Sequence, residues 1–131
     1  MDENKELTAY EQDVIAVLDE IKQLFLMKNR SYNGESPFSN FIVGGLLLHG
    51  DAGYFGRFEA LKSYVTKHIA NVYTHNIGAP DLDESMRDIA TYMIIAIVMK
   101  RQNDQLAAEE QKRHFNDIPL PKPEEGEADA N

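Results

Sequence analysis

The stretch Asp81–Lys100, DLDESMRDIATYMIIAIVMK, opens with Asp81, Asp83, Glu84 and Asp88 and then turns almost wholly apolar. Acids in a first turn complement the helix dipole, and Asp81 followed by Glu84 has the form of a capping box. Asp83 and Arg87 are spaced for an i,i+4 ion pair. Met86, Ile89, Ala90, Met93 and Ile97 then recur at helical spacing, which predicts a core-facing stripe. The helix is expected from about Leu82 to near His114. Its second half, RQNDQLAAEEQKRHF, is polar and should project outward or pack on a partner chain. Met86, Met93 and Met99 with Ile94 and Ile95 make this helix apolar nearly all round, and such a helix must be covered on every side. The expectation is a homodimer or larger homo-oligomer through this last helix.

Upstream, the same reading gives three more helices. TAYE, Thr8–Glu11, is a capping box, and Val14, Val17, Leu18, Ile21, Leu24 and Phe25 follow it as a stripe ending near Asn29. NRSYNGESPFSN reads as a loop, with Asn33-Gly34 and Pro37 as turn residues. FSNFIVGGLLLHG predicts a short buried helix, weakened by Gly44-Gly45. GYFGRFEALKSYVTKHIANVYTH predicts a helix whose inward stripe is Phe55, Phe58, Leu61, Val65, Ile69 and Val72, closed by Gly78 and Pro80. No strand pattern competes. The predicted fold is all-α: a compact helical bundle of three long helices and one short one, packed nearly antiparallel. Residues 1–115 should form one domain, and residues 116–131 a disordered, acidic, proline-containing tail.

The chain has 131 residues, no cysteine and a formal charge of −9. Thiolate metal sites and disulfides are therefore excluded. The acidic balance argues against non-specific nucleic-acid binding, which needs clustered cations. MDENKEL is acidic rather than a basic-then-apolar signal, and the longest apolar run, YMIIAIVM, is too short for a span of about 20 residues. These features predict a cytoplasmic protein with no membrane partner.

Three sets of residues carry candidate chemistry. Asp81, Glu84 and Asp88 fall at i, i+3 and i+7 on one helix face, a spacing of hard oxygen donors that suits Mg²⁺ with phosphate oxygens. Capping accounts for the first two; Asp88 lies past the first turn, beside the apolar stripe, and capping does not need it. On the preceding helix, Arg57, Tyr64, His68, Asn71 and His75 form a second column. That column either takes phosphate, ribose and base in one groove or is a solvated face. The loop brings Lys28, Arg30, Tyr32 and Gly34 together, where cations and exposed amides could meet an anion. There is no Walker pattern and no nucleophile-plus-base arrangement.

LMKNRSYNGESPFSNF, GYFGRFEALKSYVTKHIANVY and DESMRDIATYMIIAIV, in that order, resemble small phage-encoded proteins of the nucleotide modification associated domain family. That family is similar in turn to the all-α, MazG-like nucleoside triphosphate pyrophosphatases. The resemblance spans about Leu26 to Val98. It matches Lys28, Tyr32 and Gly34 to the family loop, Arg57 and Lys62 to its middle helix, and Glu84, Asp88 and Tyr92 to its last. It implies nucleotide binding in a host cytoplasm, and Mg²⁺-dependent hydrolysis with Glu84 and Asp88 catalytic, helped by Asp19 or Glu20. Two departures bear on the metal: Asp19-Glu20-x-x-Gln23 ends in an amide where the family has a carboxylate, and Glu84-x-x-x-Asp88 is one residue too long. Three expectations follow: a Mg²⁺-dependent pyrophosphohydrolase, a nucleotide-sequestering module without turnover, or an acidic inhibitor of another protein.

Overall fold

The computed structural model describes residues 6–32 and 38–117. Among them it contains four helices and no strand: α1 Ala9–Tyr32, α2 Ser39–His49, α3 Tyr54–Thr74 and α4 Leu82–Asp117. The all-α class and the order of three long helices and one short helix are as expected. The expected tail lies outside the described residues beyond Asp117. The chain divides into two units, Met1–Met99 and Lys100–Asn131, and α4 runs through both. Within the second unit α4 is exposed throughout its described side chains, and Lys100 pairs with Asp104 one turn on. No helix among the described residues is long and apolar enough to cross a membrane.

The capping box at α1 forms on both sides. The Glu11 amide donates to Thr8 Oγ1 at 3.1 Å, and the Thr8 amide donates to Glu11 Oε1 at 2.9 Å. The helix runs three residues past the expected Asn29, because neither glycine nor proline comes before residue 34. At α4 the Asp83–Arg87 pair is present at 3.4 Å, close enough for charge attraction but without a hydrogen bond from Arg87 Nε. Among the described residues the Asp81 side chain makes no hydrogen bond; only its carbonyl accepts, from the Ser85 amide.

Gly44 and Gly45 weaken α2 as an isolated helix, yet they set how it packs. Both are buried, as are Gly56 and Ala60 of α3. A Cβ at Gly45 would lie 2.6 Å from the Asp51 carbonyl oxygen and from the Gly56 backbone, and one at Gly56 would overlap that same oxygen. The missing side chains let α2 and α3 meet backbone to backbone. The turn between them is closed by Gly50, at φ 66°, whose amide donates to Leu46 O while the Asp51 amide donates to Gly45 O. This is a Schellman-type stop that glycine adopts without steric cost.

The core centres on Phe41, Leu61 and Met99, with Phe38, Tyr54, Tyr64, Tyr92, Ile95 and Ala96 packed around them. Two expected stripes are corrected by rotation. Of the α3 stripe, Leu61 and Val65 are buried, but Phe55 is 66% exposed, and Phe58 and Ile69 are also exposed. Gly56 and Ala60 take the inward side, because α2 approaches too closely for a phenyl ring between the helices. Of the α4 stripe, Met86, Met93 and Ile97 are exposed, while Leu82, Ser85 and Met99 are buried. Side-chain volume at the α2–α3 contact, not hydrophobicity alone, decides which face turns in.

Candidate functional site

Cross-helix partners step along α3 and α4 in opposite directions. Asn71 Nδ2 donates to Ser85 Oγ at 2.7 Å, and His68 Nε2 lies 3.6 Å from Asp88 Oδ2. One turn further, Tyr64 and Tyr92 lie near enough to influence each other electrostatically, and Leu61 and Ile95 follow in the core. The helices are therefore antiparallel, with a seam that is polar at one end and apolar at the other. The column expected on the second face of α3 is this seam. Tyr64, His68 and Asn71 belong to it. His75 does not, because its ring nitrogen turns back to the Asn71 carbonyl.

Asp88 is the hub. Its side chain is only 12% exposed, and its two oxygens face two basic side chains: Lys28 Nζ donates to Oδ1 at 3.2 Å, and His68 Nε2 lies 3.6 Å from Oδ2. A carboxylate this far from water needs such partners. Lys28 comes from α1, so one aspartate joins three helices. A run of aromatic rings leads away from His68. His68 and Tyr92 have ring centroids 6.1 Å apart, Phe41 packs edge-on to Tyr92 at 6.3 Å, and Phe41 meets Tyr64 at 5.8 Å. The Tyr64 hydroxyl donates to the Asn40 carbonyl at 3.3 Å. Burial, then the negative charge of Asp88, then Tyr64 push the Tyr92 phenol above its ordinary pKa. Tyr92 thus stays neutral and can donate.

The other expected residues disperse. Glu84 and Glu20 are exposed, as are Asp19 and Arg30. Lys62 pairs with Glu59 at 2.8 Å and lies over Phe58. Arg57 stacks on Tyr54 at 4.5 Å and donates from Nε to the Ala52 carbonyl at 3.0 Å, which fastens the α2–α3 turn. The Tyr32 side chain and Gly34 lie outside the described residues. Among the described residues no three His, Asp or Glu side chains are grouped to hold a metal ion. At Asp88 the donor set is one carboxylate between a lysine and a histidine, and a dication there would compete with Lys28 for Oδ1. The arrangement as it stands fits Mg²⁺ poorly. Residues missed by the sequence reading are Ser85 and Phe41. Ser85 precedes Asp88 by three positions, as His68 precedes Asn71, and that matched spacing was the available signal.

The chain matches no known family model, no curated protein and no solved structure.

Proposed function

We propose that this chain binds a nucleotide or a similar small phosphorylated ligand beside Asp88, as a binding module that needs no turnover. The observation that supports this reading is the hub itself: Asp88 between Lys28 and His68, under Tyr92. An ammonium has three donors and Asp88 takes one, and Lys28 is still 42% exposed. Lys28 supplies positive charge for phosphate in an otherwise acidic chain. His68 and Tyr92 offer ring edges to a base, and Asp88 offers an acceptor to a ribose hydroxyl or a base amine. Hydrolysis assisted by Mg²⁺ would require Glu84 and Glu20 to join Asp88 and Lys28 to leave it, so binding is the simpler use of this geometry.

The test is isothermal titration with nucleoside triphosphates, with and without Mg²⁺, on the wild type, Lys28→Ala, Asp88→Asn and Asp81→Asn. Wild type and Asp81→Asn should bind alike, and Lys28→Ala and Asp88→Asn should bind at least tenfold more weakly while keeping their helical spectrum. Unchanged affinity in both hub variants, or no binding by the wild type, would overturn the proposal. Pyrophosphate release dependent on Mg²⁺ would replace it with the hydrolase reading.

A further inference from the structure

We infer that a second copy of this chain covers the apolar faces left bare on the first half of α1 and on the Met86–Val98 stretch of α4. Every residue from Ala9 to Glu20 is exposed, among them Tyr10 at 77%, Val14, Val17 and Leu18. A helical segment of that length with every residue exposed is marginal in water, because helices in proteins draw most of their stability from packing an apolar face. Here the apolar face is present and the packing is not. On α4, Met93, Ile94 and Ile97 are likewise exposed within the two turns before the buried Met99. Both faces belong to one unit, since Lys28 of α1 is fastened to Asp88 of α4 within it.

The size of these faces points to a protein partner. Tyr10, Val14, Val17 and Leu18 with Met93, Ile94 and Ile97 leave about 700 Å² bare per chain, near the roughly 800 Å² that each partner hides in a stable interface. A two-fold axis lets the α1 face of one copy meet the α4 face of the other, and the reverse, so that one isologous contact covers both. A net charge of −9 opposes the alternative cover, an anionic lipid surface, which draws basic amphipathic helices. This inference stands apart from the nucleotide reading, and mass rather than ligand affinity decides it.

The experiment is light scattering behind size exclusion on the full chain at micromolar concentration. The expected mass is twice the 14.9 kDa of one chain. Leu18→Glu and Ile97→Glu should each halve it. Leu47→Glu, on the bare outer side of α2, should leave it unchanged. A monomeric wild type overturns the inference. So does a dimer that survives both α1 and α4 changes, or one that Leu47→Glu dissociates. Should the glutamate variants fail to fold, amide exchange on the wild type decides. Amides of residues 13–20 should exchange as slowly as those of α3, and exchange at the rate of an unstructured peptide overturns the inference.

Discussion

Between Ser39 and Thr74 two helices meet backbone to backbone, whereas in α1 burial begins only at Ile21. The hairpin's close approach rests on what is absent: no Cβ at Gly45 or Gly56, where one would meet backbone atoms. Such a contact tolerates no added atom. The α1 contact includes a lysine on an aspartate, a buried isoleucine and the half-buried Leu24, Phe25 and Leu26, side chains that can shift to take up a change. The difference locates the two kinds of stability in this chain. One is steric and self-contained. The other rests on side chains from the second half of α1, while the first half is exposed at every residue from Ala9 to Glu20.

Gly56→Ala should break the hairpin side of this comparison with the largest effect. Alanine is the better helix former by about 1 kcal/mol, so an isolated α3 would gain. In the fold its methyl would overlap the Asp51 carbonyl oxygen, which is backbone and cannot rotate away. Overpacking of this kind costs about 1–3 kcal/mol or more, so the net effect is a loss of stability despite the propensity gain. Thermal unfolding followed by circular dichroism should show a midpoint lower by many degrees. An unchanged or higher midpoint would mean that α2 and α3 are not pressed together as described.

Asp88→Asn attacks the α1 side. The asparagine keeps size but loses the charge that holds Lys28 and His68. The Lys28 head is well solvated, so the pair is worth about 1 kcal/mol or less. Asp81→Asn, where the side chain makes no hydrogen bond among the described residues, should be silent. Urea unfolding of the two variants side by side checks the difference. Equal midpoints would remove Asp88 from its place as the joint between α1 and α4.

How much of this was legible in the sequence differs in the same way between the two regions. Local chemistry was in part: Thr8 and Glu11 cap as their spacing says, Asp83 pairs with Arg87, and Asp88 stands apart from the first-turn acids, but the Asp81 side chain expected to cap α4 makes no hydrogen bond among the described residues. The rotation of α3 and α4 was not. Periodicity finds an apolar stripe, and α3 carries two, one with Phe55 and Phe58 and one with Ala60 and Leu61. Which one turns inward depends on the distance of α2, a fact held in Gly44 and Gly45 of a different segment. The hub was half legible. Asp88 could be singled out on its own helix, but its partners are 20 and 60 positions away, and nothing local to Lys28 or His68 names their partner.

Tyr92 lies where the two regions join, and it gives the comparison a pH axis. Its phenol is pushed up by burial, then by the Asp88 charge and Tyr64. The folded state therefore holds this proton to higher pH than the unfolded chain does. The linked stability is fully present below the ordinary tyrosine value, about 10, and is lost as pH rises from there through the raised value. Tyr92→Phe should leave stability near neutral pH almost unchanged and make the alkaline fall shallower. Denaturation midpoints taken from pH 8 to 11 test this, and identical slopes for wild type and variant would show that Tyr92 is not the group responsible.

The smallest effect sharpens the comparison most, because it depends on whether α1 is bare or covered. Thr8→Ala removes the hydroxyl that accepts from the Glu11 amide and leaves the Thr8 amide free to donate to the Glu11 carboxylate. In a bare helix end nothing else holds the first turn, and the loss of a cap frays it. If the first half of α1 is packed against a second copy, that packing fixes the turn and the cap matters less. Amide exchange at Gln12 and Asp13, whose helical bonds sit in this turn, reads the outcome directly. The Glu11 carboxyl is held below its ordinary range by its hydrogen bond from the Thr8 backbone and then by the Thr8 side chain. What it contributes is therefore present above the usual glutamate value and lost as pH falls through its lowered one. Thr8→Ala should speed exchange at these two amides modestly in the wild-type background and far more in Leu18→Glu, where the cover is gone. Equal acceleration in the two backgrounds would show that the cap acts alone and that nothing packs on the first half of α1.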